Sequence, residues 1–200
     1  MITLRLKTEP GWLRKSNPIL GAGFWVNAAV GLSIRDVLCR QLGVADDYLD
    51  NRVQTLFLDG KPVDDVDRAI VPDGGVLTLS AAMPGLVGAT FRKGGHLAPM
   101  RGAITCEAGD DACELDGRVM IKLFNVVARE LGPGFVKMGI LISGEQGCQV
   151  FEGRSTKFWN GCRSVNINGE SVSVERLQTY AFDNEDMHLT VIEESAEATS

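Results

Sequence analysis

The sequence predicts an α+β protein made of two strand-rich units, and three observations carry that expectation. Ile2, Leu4 and Leu6 alternate with Thr3, Arg5 and Lys7 at the start of the chain, the period of a half-buried strand. Ile34, Val37, Leu38 and Leu42 then fall on one helical stripe. The turn dipeptides Asp59-Gly60 and Asn168-Gly169 mark tight hairpins in both halves.

In chain order, MITLRLKT is the first strand and GFWVNAAV, from about Gly23 to Val30, the second. Between them EPGWLRKSNPILGAG is rich in Gly and Pro and long for a hairpin loop. Trp12 in that loop either marks a docking surface or folds back as a lid on the core. Ser33 caps a helix over IRDVLCRQLG, with Asp36 three positions on in a box-like arrangement and Gly43 as its left-handed stop. Arg35, Asp36 and Arg40 face away from its stripe. VQTLFL and VLTLS are strands, the latter preceded by Pro72-Asp73-Gly74-Gly75. The intervening carboxylates Asp64, Asp65 and Asp67 suit solvent better than acid–base catalysis.

The opening MITLRLKT, the helix SIRDVLCRQLG, the turn LFLDGKPV and the closing PDGGVLTLS resemble the ubiquitin-like β-grasp superfamily, which includes ubiquitin and the bacterial sulfur carriers. The likeness covers roughly residues 1 to 85. It implies a four-stranded sheet wrapped on the Ser33–Leu42 helix, with one sheet face presented to protein partners. Carriers of this kind end in Gly-Gly with a free carboxylate, whereas here Gly95 is joined to His96. Gly94-Gly95 therefore reads as a turn, and a carrier role requires cleavage after Gly95.

In the second half, GAITCEAGDDACELDG is expected to form a hairpin with Cys106 facing Cys113. Facing Cβ atoms lie ~4.5–5.5 Å apart, near enough for a thiol pair or two metal ligands; the alternative is two small buried residues. Cys148 and Cys162 do not add the short spacing of a zinc knuckle, so no metal is assigned. DGRVMIKLFNVVARELG reads as the main helix, capped by Asp116 and stopped by Gly132-Pro133. It is apolar enough to be wrapped on more than one side or to form a subunit contact, which makes a homo-oligomer plausible. FVKMGILI reads as a strand, CQVFEG as its neighbour across SGEQG, VNINGESVSV as a hairpin with Val165 facing Val172, and MHLTVIE as the last strand.

The expected organisation is a β-grasp domain at 1–90, a Gly-rich basic connector at 91–101, an α+β domain at 102–193 and a disordered acidic tail at 194–200. A net charge of −6 argues against a general nucleic-acid binder. No apolar run reaches the ~20 residues of a membrane span, and five scattered cysteines point to a reducing, cytoplasmic setting. Two basic clusters are candidate anion or ligand sites: Arg92, Lys93, His96 and Arg101 in the connector, and Arg154, Lys157 and Trp159 in GRSTKFWNGCR, where rings offer stacking faces. No catalytic constellation and no cofactor are assigned. The expected function is a non-catalytic protein-binding or assembly module. The alternatives are a carrier precursor cut at Gly95 or a small-molecule enzyme with a basic pocket between the halves.

Overall fold

The computed structural model describes residues 1–83, 85–97, 115–182 and 185–194. It mixes helices and strands, as expected for an α+β chain. The strands are β1 (Ile2–Thr8), β2 (Phe24–Val30), β3 (Leu32–Ser33), β4 (Thr55–Leu58), β5 (Lys61–Pro62), β6 (Ile70–Val71), β7 (Val76–Ser80), β8 (Leu115–Leu123), β9 (Ile140–Ile142), β10 (Cys162–Ile167), β11 (Glu170–Val172) and β12 (Met187–Glu193). The α-helices are α1 (Asn17–Ala22), α2 (Asp46–Asn51), α3 (Gly85–Phe91), α4 (Asn125–Met138), α5 (Gly144–Phe151), α6 (Thr156–Trp159) and α7 (Val174–Gln178). A 3-10 turn at Trp12–Ser16 and a π-type turn at Asp36–Gln41 complete the set.

By its contacts the chain divides into two compact units. Unit 1 joins Met1–Phe24 to Gly132–Ser200, and unit 2 is Trp25–Leu131. Unit 2 is thus inserted into the sequence of unit 1, which differs from consecutive domains at 1–90 and 102–193. The reason is β1. Its partners are β10 and β12, so it is not the neighbour of β2 that a β-grasp over residues 1 to 85 requires.

In unit 1 the strand order is β11-β10-β1-β12-β9. β1 runs parallel to β12 from Ile2↔Met187 to Thr8↔Glu193 and antiparallel to β10 from Leu4↔Ile167 to Thr8↔Cys162. Its alternation does what the sequence dictates: Ile2, Leu4, Leu6 and Thr8 are buried. Asn168 and Gly169 have φ of 51° and 91°, the backbone of a two-residue hairpin, and Val165 faces Val172 as expected. Trp12 folds back: it is 3% exposed and its Nε1–H donates to the Phe158 carbonyl at 3.1 Å.

In unit 2 the order is β2-β8-β7-β4-β5, with β3 and β6 as a separate small pair. β7 and β8 are parallel from Val76↔Met120 to Leu79↔Leu123, and β4 is antiparallel to β7. Asp59 and Gly60 (φ 50° and 77°) turn β4 into β5. Ser33 and Asp36 bond reciprocally, Ser33 Oγ–H to Asp36 Oδ2 at 2.8 Å and Asp36 N–H to Ser33 Oγ at 3.1 Å. Ile34, Val37 and Leu38 are fully buried, and Gly43 has φ 71°.

Three expected elements change. DGRVMIKL is strand, because Val119, Ile121 and Leu123 alternate inward at period two. The helix starts only at Asn125, whose φ of 55° breaks the strand and whose amide donates to Ser80 Oγ at 2.9 Å. Val119, Ile121, Leu123 and Val127 of the run are buried within the chain, whereas Phe124 is exposed. Pro133 lies within α4, which continues to Met138, so FVKMGILI contributes only Ile140–Ile142 as strand. SGEQ is a capping box rather than a turn: Gln146 N–H donates to Ser143 Oγ at 3.2 Å, Ser143 N–H to Gln146 Oε1 at 3.0 Å, and CQVF is helix. The Cys106–Cys113 hairpin, Arg101 and the tail from 195 lie outside the described residues. Among the described residues no helix is long and apolar enough to cross a membrane.

Leu6 sits fully buried on the strand that closes unit 1. Leu6→Ala is expected to cost about 2–5 kcal/mol, read from the shift in urea midpoint at unchanged slope. A cost below about 1 kcal/mol on the same scale is the result that β1 at the centre of the sheet does not allow.

Candidate functional site

The region after α5 builds a pocket in unit 1. α5 ends at Phe151, and Gly153 (φ 63°) turns the chain so that Arg154 reaches back over the helix end. Its Nε–H donates to the Val150 carbonyl at 2.7 Å and Nη2–H to the Gln149 carbonyl at 3.0 Å. A cation on the last carbonyls of a helix is favourable, because those groups lack intrahelical partners and carry the negative end of the dipole. The guanidinium also lies 5.4 Å over the Phe158 ring.

The short α6 then sets Trp159 among rings, 5.0 Å from Phe158, 5.9 Å from Phe151 and 6.1 Å from Trp12. The third wall is α7, started by Ser173, whose Oγ accepts the Arg176 N–H at 3.2 Å. Gln178 Nε2–H ties that wall to the first by donating to the Arg154 carbonyl at 2.6 Å. Together Arg154, Thr156, Trp159, Asn160, Val174, Glu175 and Gln178 line a pocket of about 290 Å³.

Polar groups of the lining residues remain unspent, and one lies buried behind the wall. Trp159 Nε1 is buried with no hydrogen-bond partner, a state that costs roughly 1–3 kcal/mol unless a partner arrives. Among the described residues, Arg154 Nη1, the Thr156 hydroxyl and Gln178 Oε1 make no hydrogen bond. The Glu175 carboxyl is held below the usual carboxylate range, first by its own backbone N–H and then by the Ser173 hydroxyl, so it is ionised at neutral pH. Arg154 and Glu175 share the pocket without forming an ion pair with each other. A second concavity of about 510 Å³ in unit 2 is lined by Asn27, Ala28, Ala29, Asp116, Gly117 and Arg118. Its Arg118 lies 5.8 Å over Trp25.

Of the candidates read from sequence, Arg154 and Trp159 line one pocket, but not in the manner expected. Trp159 is 6% exposed and ringed by other aromatics, so it offers an edge rather than a stacking face. Lys157 is exposed on α6 and is not part of the lining. In unit 2, Arg92 and His96 are exposed. Lys93 is committed to structure: its Nζ donates to the Leu49 carbonyl at 2.8 Å, and burial lowers its pKa. Gly94 (φ 59°) donates its N–H to Asp64 Oδ1 at 2.9 Å, and Gly95 N–H closes on the Arg92 carbonyl at 3.1 Å, so the pair forms a tethered turn. Val174, Glu175 and Gln178 were not anticipated. Their signal was Ser173 preceding a short run of good helix formers.

The acidic excursion is structural. Arg35 is held by Asp67 at 2.6 Å, Asp50 at 2.8 Å and Asp46 at 3.0 Å, which raises its pKa, Asp67 contributing most. Asp65 accepts the N–H groups of Asp67 and Arg68. The Cys39 thiol is pushed up to about 11 by burial first and by Asp46 second, so it stays protonated. Among the described residues no group of His, Cys, Asp and Glu could hold a metal ion. No protein-family model, curated protein or solved structure matches the chain.

A second ion cluster gives unit 2 an acid limit. Glu130 accepts from Arg52 at 2.6 and 2.9 Å and from the Tyr48 hydroxyl at 2.7 Å, and these bonds hold its carboxyl down at about 2, Arg52 contributing most. A depressed folded value contributes stability that is present above the ordinary 4.5 and is lost as pH falls towards about 2. Glu130→Gln is therefore expected to flatten the decline of unit 2 stability between those values, measured by denaturation at stepped pH. An unchanged slope would show that the cluster contributes nothing to it.

Proposed function

We propose that the chain is a non-catalytic binding module that docks on a protein partner through the face of unit 1 carrying the Arg154–Gln178 pocket. The observation that carries this reading is a concave site whose wall holds an ionised carboxylate and an Arg with unspent N–H groups. Convergent polar groups in a preformed pocket are the general signature of a recognition site.

Kinship with the β-grasp superfamily belongs to the same proposal, in altered form. Support comes from the run β2, buried helical turn, β4, β5 and β7, which keeps the expected order from about Gly23 onward. The opening strand is the exception, and β8 stands beside β7 in the sheet instead. The carrier reading is disfavoured by the same fact. Cleavage after Gly95 severs β8, whose Val119, Ile121 and Leu123 are buried in unit 2, and leaves β1 without both of its partners.

Two experiments test the reading. A photo-crosslinking residue at exposed Thr156 in cells of the native host is expected to give one discrete protein adduct. Val174→Arg, which fills the pocket mouth, is expected to remove it while the circular dichroism is unchanged. An adduct that persists in Val174→Arg refutes docking at this pocket. Separately, a fragment ending at Gly95 is expected to be unfolded by NMR dispersion; a folded fragment would restore the carrier alternative.

A further inference from the structure

We infer that the unit 1 pocket takes a free α-amino acid as a zwitterion. The inference rests on the proposed reading of that pocket and adds the class of ligand. It starts from charge. Arg154 and Glu175 line one cavity, both charged at neutral pH, yet do not pair with each other. A simple anion is drawn to Arg154 but repelled by Glu175, and a simple cation the reverse. A dipolar molecule carrying both charges is attracted by both walls, and hydrogen bonds between ionised groups are about twice as strong as neutral ones.

The hydrogen-bonding inventory agrees. Arg154 Nη1 retains its N–H donors for a carboxylate, since the bonds to the α5 carbonyls use Nε and Nη2. Glu175 supplies a carboxylate for an ammonium, and Gln178 Oε1 is a second free acceptor, its amide N–H being held by the Arg154 carbonyl. An ammonium has three N–H donors and needs acceptors on more than one side. The Thr156 hydroxyl serves either end. Size narrows the class further: drug-sized ligands occupy pockets of roughly 300–1,000 Å³, and about 290 Å³ lies at the lower limit. A flat nucleobase is disfavoured as well, because the faces of Trp159 are taken by Phe151, Phe158 and Trp12.

Trp159 is a reporter inside the wall. The indole N–H signal of Trp159 in the intact chain is followed by NMR while the common amino acids are added singly. At least one is expected to give a saturable shift. The N-acetyl derivative and the amide of that amino acid, each lacking one charge, are expected to bind at least tenfold more weakly. Glu175→Gln, on an exposed residue, is expected to weaken the zwitterion at least tenfold, while Lys157→Ala leaves it unchanged. No shift with any amino acid overturns the inference, and so does equal binding of the N-acetyl derivative, which would mark a plain anion site. Loss of the Thr156 adduct with amino-acid binding intact overturns the docking reading alone.

Discussion

Unit 1 depends on the capture of one strand by partners encoded at the far end of the chain. β1 lies between β12, which it meets in parallel, and β10, which it meets antiparallel. Without it, β9 and β12 are separated from β10 and β11, and the sheet falls into two pieces. The closure is entropically affordable because cost grows slowly with the chain between the ends, ~0.6 kcal/mol for each doubling. Against that stands burial of Ile2, Leu4 and Leu6, each worth roughly 1.5–3 kcal/mol. The segment that follows is captured too: Trp12 packs on Phe158 and Trp159, and Leu13 N–H donates to Glu193 Oε1 at 2.8 Å. Trp12 thus packs behind Trp159, a residue of the pocket wall.

Unit 2 repeats the principle within its own span. Its sheet also has a parallel pair at the centre, β7 with β8, closed by a strand that arrives after a long crossover. A parallel pair cannot be made by a tight turn; it needs a connection of a dozen residues or more. Such pairings leave no local mark in sequence. A hairpin does, since its turn residues and facing side chains are neighbours in the chain.

This separates what was legible from what was not. The hairpins at Asp59-Gly60 and Asn168-Gly169, the Val165–Val172 register, and the strands β1, β2, β7 and β12 all follow from local periodicity and turn chemistry. The partner of β1 did not, because the alternation of MITLRLKT states that one face is buried and not against what. DGRVMIKLFNVV was misread because its apolar residues satisfy both periods, and only Asn125 in the left-handed region decides where strand ends and helix begins. SGEQ is legible as a helix start: Ser and Gln three apart before an apolar run is the capping-box pattern. For the site, the basic and aromatic residues of GRSTKFWN stood out as a cluster. Glu175 and Gln178 come from the far side of two strands, and only the fold brings them to Arg154.

The clusters of charge are of two kinds, and the difference bears on function. Around Arg35 and around Glu130 every strong group is matched by an opposite partner at bonding distance, and such networks fix the chain without drawing a ligand. In the unit 1 pocket, Arg154 is half committed to the end of α5, and Glu175 is steadied only by the start of α7. Each is fixed by its own helix end rather than by the other. Two opposite charges anchored independently, with space left between them, are an arrangement that folding alone does not require, since a short ion pair across the same gap serves stability as well. The arrangement suits a molecule that supplies both complements at once, as the proposed zwitterion does.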